Sequence, residues 1–223
     1  RLRLPPERVV WLPPFADHGH HPPAEPVEPE WDLLFAGTVD PETTPGRAAF
    51  LAELGRRLPG LAVRRGVFRE LYPRARLGLN IAERGDLNFR VVEALACGAC
   101  LLTPRVEHGQ AELFRDGKHL FVYDPEDMDG LVRLVEELLA DPERAARVAE
   151  AGRLAVEAAH RPIHRARAVA EAVRGLDAAA VVAERLERAR EIRETYLKLV
   201  YLHWAEAARE PAARAAYLKA AKH

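Results

Sequence analysis

Lysine is nearly missing from this sequence: of 33 basic residues, only Lys118, Lys198, Lys219 and Lys222 are lysine. That imbalance reads as a bias of the source genome rather than as a binding surface. Set against 34 acids, the basic residues leave a formal charge of −1, so there is no global footprint for nucleic acid or an anionic membrane. Two cysteines cannot build a disulfide scaffold. No apolar run approaches the roughly 20 residues that span a bilayer, and no signal peptide opens the chain. A cytoplasmic protein is the default expectation.

Glycine fingerprints for phosphate are missing too. After the first apolar run, Gly37-Thr38 offers one glycine in place of G-x-G-x-x-G, and G-x-x-x-x-G-K-[ST] occurs nowhere. That argues against a dinucleotide dehydrogenase and a P-loop ATPase. The lack of a G-x-S-x-G elbow argues against an α/β-hydrolase. The sequence opens at Arg1 without a methionine and moves from a short apolar run into a linker, so a fragment of a longer protein is expected.

What is there suffices for one sizeable core and a small appended element. Residues 8–12 can form a short edge strand or the end of a strand belonging to sequence outside this chain. Residues 13–30 hold Pro13, Pro14, Pro22, Pro23, Pro26 and Pro29, which bar a helix or a central strand and give a semi-extended connector. His18-Gly19-His20-His21 lies within it. Three histidines without cysteine or a spaced acid lack structural zinc spacing, so no metal is assigned and a solvated loop is the preferred reading.

From Trp31 five apolar runs alternate with helical patterns: Leu33–Ala36, Leu61–Val63, Leu77–Ala82, Cys100–Leu102 and Leu120–Tyr123. Near-continuous apolar strands separated by helices predict a doubly wound α/β domain whose parallel sheet is covered on both faces. The expected division is a linker over 1–30, a ligand-binding lobe over 31–175 and a helical tail over 176–223. In the tail, residues 177–208 read as one long helix or a broken pair, and Pro211 restarts a last helix.

The stretch from Leu77 to Pro104 organises the lobe as strand, polar loop, helix, glycine stop and strand. Asn88 stands where a helix N-cap belongs, and Gly98 suits the left-handed stop. The loop Gly85–Asn88 opens a helix at the carboxyl end of a parallel strand, the edge where open α/β sheets bind ligands. The helix dipole and Arg90 favour an anion there, a phosphate or diphosphate being the natural guest. Glu93, an acid in an otherwise apolar helix, either accepts from a ribose diol or merely neutralises Arg90 at i,i+3 spacing. Cys97-Gly98-Ala99-Cys100 matches C-x-x-C, but it sits at a helix C-terminus, the wrong electrostatic end for a reactive thiol, and reads as packing. His108-Gly109-Gln110-Ala111-Glu112 makes another loop-to-helix transition on the same edge, for ligand contact or for capping.

The run N-F-R-V-V-E-A-L-A-C-G-A-C-L-L-T, followed by E-L-F-R-D-G-K-H-L-F-V-Y-D, resembles the CgeB-like, spore-maturation branch of group 1 glycosyltransferases. The resemblance covers about Val9 to Val173. It implies a GT-B fold of two Rossmann-like lobes, with this chain as the C-terminal, nucleotide-sugar donor lobe and an N-terminal acceptor lobe lying outside it. By position, Glu93 looks like the acid that binds the donor ribose. Asn88, Phe89 and Arg90 look like the phosphate-side helix start, His108, Gly109 and Gln110 like part of the donor-facing rim, and Gly37 and Thr38 like the turn after the first strand. Glu83 and Arg90 are the candidates for catalytic roles. Glu83 is the only candidate for the first acid of the family's E-x7-E pattern, and its spacing, Glu83-x9-Glu93, is two residues longer than that pattern. No Arg/Lys pair follows the first strand, and Arg47, Arg64 or Arg90 can take its place.

The resemblance implies transfer of a sugar from a nucleotide-diphosphate donor to an unidentified acceptor, with no cofactor and no obligatory metal. Two other readings compete with it: an inactive glycosyltransferase-like scaffold whose helical tail binds a partner or a second copy, and a sugar-nucleotide epimerase.

Overall fold

Strand runs without polar alternation need cover on both faces, and the computed structural model, which describes residues 9–82 and 85–222, supplies it. Five parallel strands, β1 (Trp31–Ala36), β2 (Leu61–Arg64), β3 (Ala75–Leu79), β4 (Leu101–Pro104) and β5 (Phe121–Tyr123), pair in the order β2-β1-β3-β4-β5. Side chains in a strand alternate between faces. Leu33 and Phe35 of β1 therefore join one core with Leu77, Leu79 and Leu102, while Leu34 and Ala36 join the other with Leu101 and Leu120.

Helices α1 (Pro45–Arg57) and α5 (Met128–Ala140) cover the first face through Leu51, Leu54, Leu131, Val135 and Leu138. Helix α3 (Phe89–Ala96) covers the second through Val91, Val92 and Leu95. It packs against α6 (Pro142–Ala159), which crosses it closely at Gly152. Asp141 caps α6 by accepting from the Arg144 N–H, with Pro142 at the first turn as expected. Gly98 stops α3 in a left-handed conformation at φ 82°.

Two expectations need correction. Residues 9–12 form no strand, and their apolar side chains are exposed. A four-residue helix, α2 (Phe68–Leu71), and a 3-10 turn (Tyr72–Arg74) precede β3, where no helix was predicted. The connector over 13–30 is held by the lobe. Arg161 donates to the carbonyls of Ala16 and Asp17 at 3.2 and 2.6 Å. Arg165, in α7 (Pro162–Arg174), donates to those of Pro13 and Pro14 at 2.7 and 3.0 Å.

The chain divides into two compact units at Ala168/Val169, inside α7. The second holds α8 (Ala178–Glu187), α9 (Ala189–Glu191), a π-helical segment (Ile192–Leu197), α10 (Lys198–Ala207) and α11 (Pro211–Ala220). The broken reading of 177–208 therefore holds. Trp204 packs against Tyr201 and Tyr217 to join α10 and α11.

Candidate functional site

Strand β1 has β2 on one side and β3 on the other, so the chain reverses its direction across the sheet between them. A crevice opens at the carboxyl ends of strands flanking such a switch point. Asn80, the residue after β3, is 1% exposed, and every polar atom of its side chain is used. Its Nδ2 donates to Thr103 Oγ1 at 3.0 Å, and its Oδ1 accepts from Arg90 Nη1 at 3.1 Å and Asn88 Nδ2 at 3.2 Å. Tyr123 Oη donates to its backbone carbonyl at 2.7 Å.

Asn88 occupies the N-cap position of α3, but it makes no side-chain cap. The buried oxygen of Asn80 draws its amide away from the helix, so the expected cap is replaced by a bond between loop and strand. Its own Oδ1 has no hydrogen-bond partner among the described residues.

Arg90 does not pair with Glu93. Its Nε donates to the carbonyl of Ala36, the last residue of β1, at 2.9 Å, and its guanidinium lies 5.0 Å from the Phe35 ring centre. Burial pulls its pKa below the ordinary arginine value. Arg47 approaches the same ring to 5.6 Å and donates to the Thr38 carbonyl at 2.8 Å. Two guanidiniums thus share one aromatic ring at the mouth of the switch point. Gly37 leaves room for them: a Cβ there would meet Arg90 Nη2 at 2.7 Å and the Phe35 ring at 3.2 Å, so a side chain would displace the guanidinium.

Arg47, Phe68, Ile81, Asp86, Asn88, Phe89, Arg90 and Glu93 line an open cleft of about 470 Å³, within the range of small-molecule sites. Phe89 is 54% exposed, with Phe15 of the connector edge-on to it at 6.1 Å. Burial raises the Glu93 carboxyl above its usual range, while His20 and Arg90 pull it back. His20 Nε2 stands 3.9 Å from Glu93 Oε1. The histidine loop is therefore not simply solvated, since one of its rings folds onto α3. Among the described residues, no group of three His, Cys, Asp or Glu could hold a metal ion.

The other sequence candidates lie elsewhere. Glu83 falls outside the described residues. His108, Gly109 and Gln110 do not line this cleft. His108 is exposed, and Gln110, the first residue of α4 (Gln110–Leu113), is buried and committed to its own loop, donating to Pro104 O at 3.0 Å and accepting from Val106 N–H at 3.1 Å. Arg64 stacks 5.2 Å from the Trp31 ring and bonds its neighbour's carbonyl, so it does not join the Arg47–Arg90 pair. Cys97 and Cys100 are buried free thiols pushed up to about 12 by burial, in keeping with a packing role. Asn80 and His20 were missed. Only the topology makes Asn80 a hub, and only the docked connector brings His20 near Glu93.

A family model described as glycosyl transferase-like matches residues 47–171, more than half of the chain. The chain belongs to the glycosyl transferase-like family. The match takes in Arg47, Arg90 and Glu93.

Among solved structures, sucrose-phosphate synthase from Thermosynechococcus elongatus aligns at TM-score 0.54 and 20% identity, over 66% of this chain and 39% of that one. HepE from Anabaena, in complex with UDP and glucose, aligns at 0.52 and 15% identity, over 65% and 40%. TarM aligns at 0.55 and 7% identity, over 69% and 36%. At such identities the likeness is one of fold, and this chain spans about two fifths of the length of those proteins. No curated protein matches the chain. Among the described residues no helix is long and apolar enough to cross a membrane.

Proposed function

We propose that this chain is the donor-binding lobe of a CgeB-like group 1 glycosyltransferase, a cytoplasmic hexosyltransferase that takes its sugar from a nucleotide-diphosphate donor. The acceptor would be held by an N-terminal lobe of the same protein. The observation that carries this reading is the pairing of a guanidinium couple, Arg47 and Arg90 on Phe35, with the half-buried Glu93 in one cleft at the switch point. Fixed positive charge at the cleft mouth suits the diphosphate, on which negative charge grows as the glycosidic bond breaks. Glu93, one turn further along α3, offers a carboxylate that can accept from both hydroxyls of a ribose. The bound UDP of the Anabaena neighbour supports a nucleotide diphosphate as the ligand class.

The arginines would do the electrostatic work without a resident metal or cofactor, so binding should persist in chelator. Titration with UDP, UDP-glucose and GDP should give saturable binding to at least one of them. Glu93→Ala and Arg90→Met should each weaken it by about ten- to a hundredfold, the loss of a charged hydrogen-bond partner. Binding untouched by both substitutions would overturn the assignment.

A further inference from the structure

We infer that Asn80 is a positioning residue for Arg90: a neutral, buried acceptor that fixes the guanidinium at the mouth of the cleft and leaves its positive charge uncompensated for an anionic group of the ligand. The inference rests on the reading of Arg90 as a diphosphate contact.

A guanidinium can only donate, so the Asn80 atom 3.1 Å from Arg90 Nη1 has to be the amide oxygen. That sets the whole amide. Its Nδ2 points at Thr103 Oγ1, 3.0 Å away, and Asn88 turns its own Nδ2 to the same oxygen at 3.2 Å. Asn80 and Thr103 are each 1% exposed, and the Tyr123 hydroxyl ties the Asn80 backbone carbonyl at 2.7 Å. Rotating the amide would leave buried polar groups unpaired, so its oxygen is a rigid post.

Arg90 is held at two of its three nitrogens, Nη1 by Asn80 and Nε by the Ala36 carbonyl at 2.9 Å. The third, Nη2, lies beside Gly37 and meets no acceptor among the described residues. Every group that holds the guanidinium is neutral: an amide oxygen, a backbone carbonyl and the Phe35 ring. Glu93 acts on it only through space. Burial pulls the guanidinium below the ordinary arginine value, but it stays charged throughout the neutral range. A cation withdrawn from water is usually met by a carboxylate. Here an amide stands in that place, so the counter-charge is left to the ligand, and the cation is already aimed when the ligand arrives.

Asn80→Asp tests this with almost no change of shape. The Thr103 hydroxyl can rotate to donate to the new carboxylate, and Asn88 donates to it as before, so no buried group loses its partner. Pairing the guanidinium internally should raise the melting temperature by about 2–4 °C. It should also weaken binding of UDP or GDP, whichever the wild type takes, by about ten- to a hundredfold. The matching nucleoside, which has the ribose and no phosphate, should bind both proteins alike. Asn80→Ala removes the acceptor instead and should melt below the wild type while also losing diphosphate affinity. Binding that falls in both variants while stability moves in opposite directions is what a merely structural role would not produce.

A lowered melting temperature in Asn80→Asp, with diphosphate and nucleoside weakened alike, would overturn the inference. Proton–nitrogen correlation NMR of the wild type tests it without the Asn80 variants. The Arg90 Nε–H signal, identified by its loss in Arg90→Lys, should be resolved and should shift with the diphosphate but not with the nucleoside; a signal indifferent to both would also overturn it. If Arg90→Met weakens diphosphate binding while Asn80→Asp binds as the wild type does, the positioning role fails and the donor reading stands. If Arg90→Met leaves binding unchanged, the donor reading fails, and the two melting temperatures still decide whether the charge of Arg90 is uncompensated.

Discussion

Replacing Arg161 by alanine tests whether the connector is an integral part of the folded lobe. Arg161 is 5% exposed, yet its guanidinium serves four acceptors: the carbonyls of Ala16 and Asp17, and both carboxylate oxygens of Glu157. Each hydrogen bond from a charged donor contributes about 1.5–3 kcal/mol, so the two to the connector, one buried and one part-buried, give about 3–6 kcal/mol gross. The Glu157 arm is partly exposed and adds about 0.5 kcal/mol. Burying a guanidinium costs several kcal/mol of hydration, which the substitution gives back. The net loss should be about 2–3 kcal/mol, or a urea midpoint lowered by about 1–1.5 M if the slope is near 2 kcal/mol/M. Limited proteolysis reads the same event locally, and cleavage between Pro14 and Pro22 should speed up by about thirtyfold or more. An unchanged midpoint together with unchanged cleavage would refute the claim that these carbonyl contacts hold the connector.

Gly152→Ala should destabilise α6 although alanine is the better helix former by about 1 kcal/mol. The new Cβ would stand 2.3 Å from the backbone oxygen of His119, and overpacking of that kind costs about 1–3 kcal/mol or more, visible as a lowered melting temperature. Cys97 and Cys100 should resist iodoacetamide at about pH 8 in the native protein and react on unfolding, since burial holds both thiols near 12; mass spectrometry of native and urea-treated samples checks this. His160 is buried beside Arg165 and is pushed down to about 4, first by burial and then by that positive neighbour. Its folded pKa lies below the unfolded value of about 6.5, so the unfolded chain takes up the proton first and stability falls as pH drops from about 6.5 to 4. Urea titrations over that window should show the slope in the wild type and a smaller one in His160→Gln.

The sheet was legible because its inner strands are buried on both faces along most of their length, which leaves an uninterrupted apolar run such as Leu33–Ala36 in the sequence. Helix stops and starts at Gly98 and Asp141-Pro142 were legible because their chemistry is local. The cleft was harder to read, for reasons visible residue by residue. Asn88 has the identity and the backbone of a cap, and only a buried amide eight positions earlier redirects its side chain. The Arg90–Glu93 spacing suggested an ion pair, but the carbonyl of Ala36, distant in sequence, takes the guanidinium instead. Gln110 looked like a ligand contact because the loop–helix pattern does not reveal that both ends of its amide close the loop. The short helix and turn from Phe68 to Arg74 carry too few residues for a helical period to show in the sequence.

The arginine clamp on the connector grips main chain rather than side chains. The four carbonyls it holds belong to Pro13, Pro14, Ala16 and Asp17, and any residue would present the same oxygen. The segment should therefore tolerate many substitutions while tolerating almost no change of length. Removing one residue between Asp17 and His20 would draw the imidazole back by about 3.5 Å, the span of one extended residue, and out of reach of Glu93. An engineer joining this lobe to a foreign partner should treat residues 13–20 as a ruler to be kept whole and cut upstream of it.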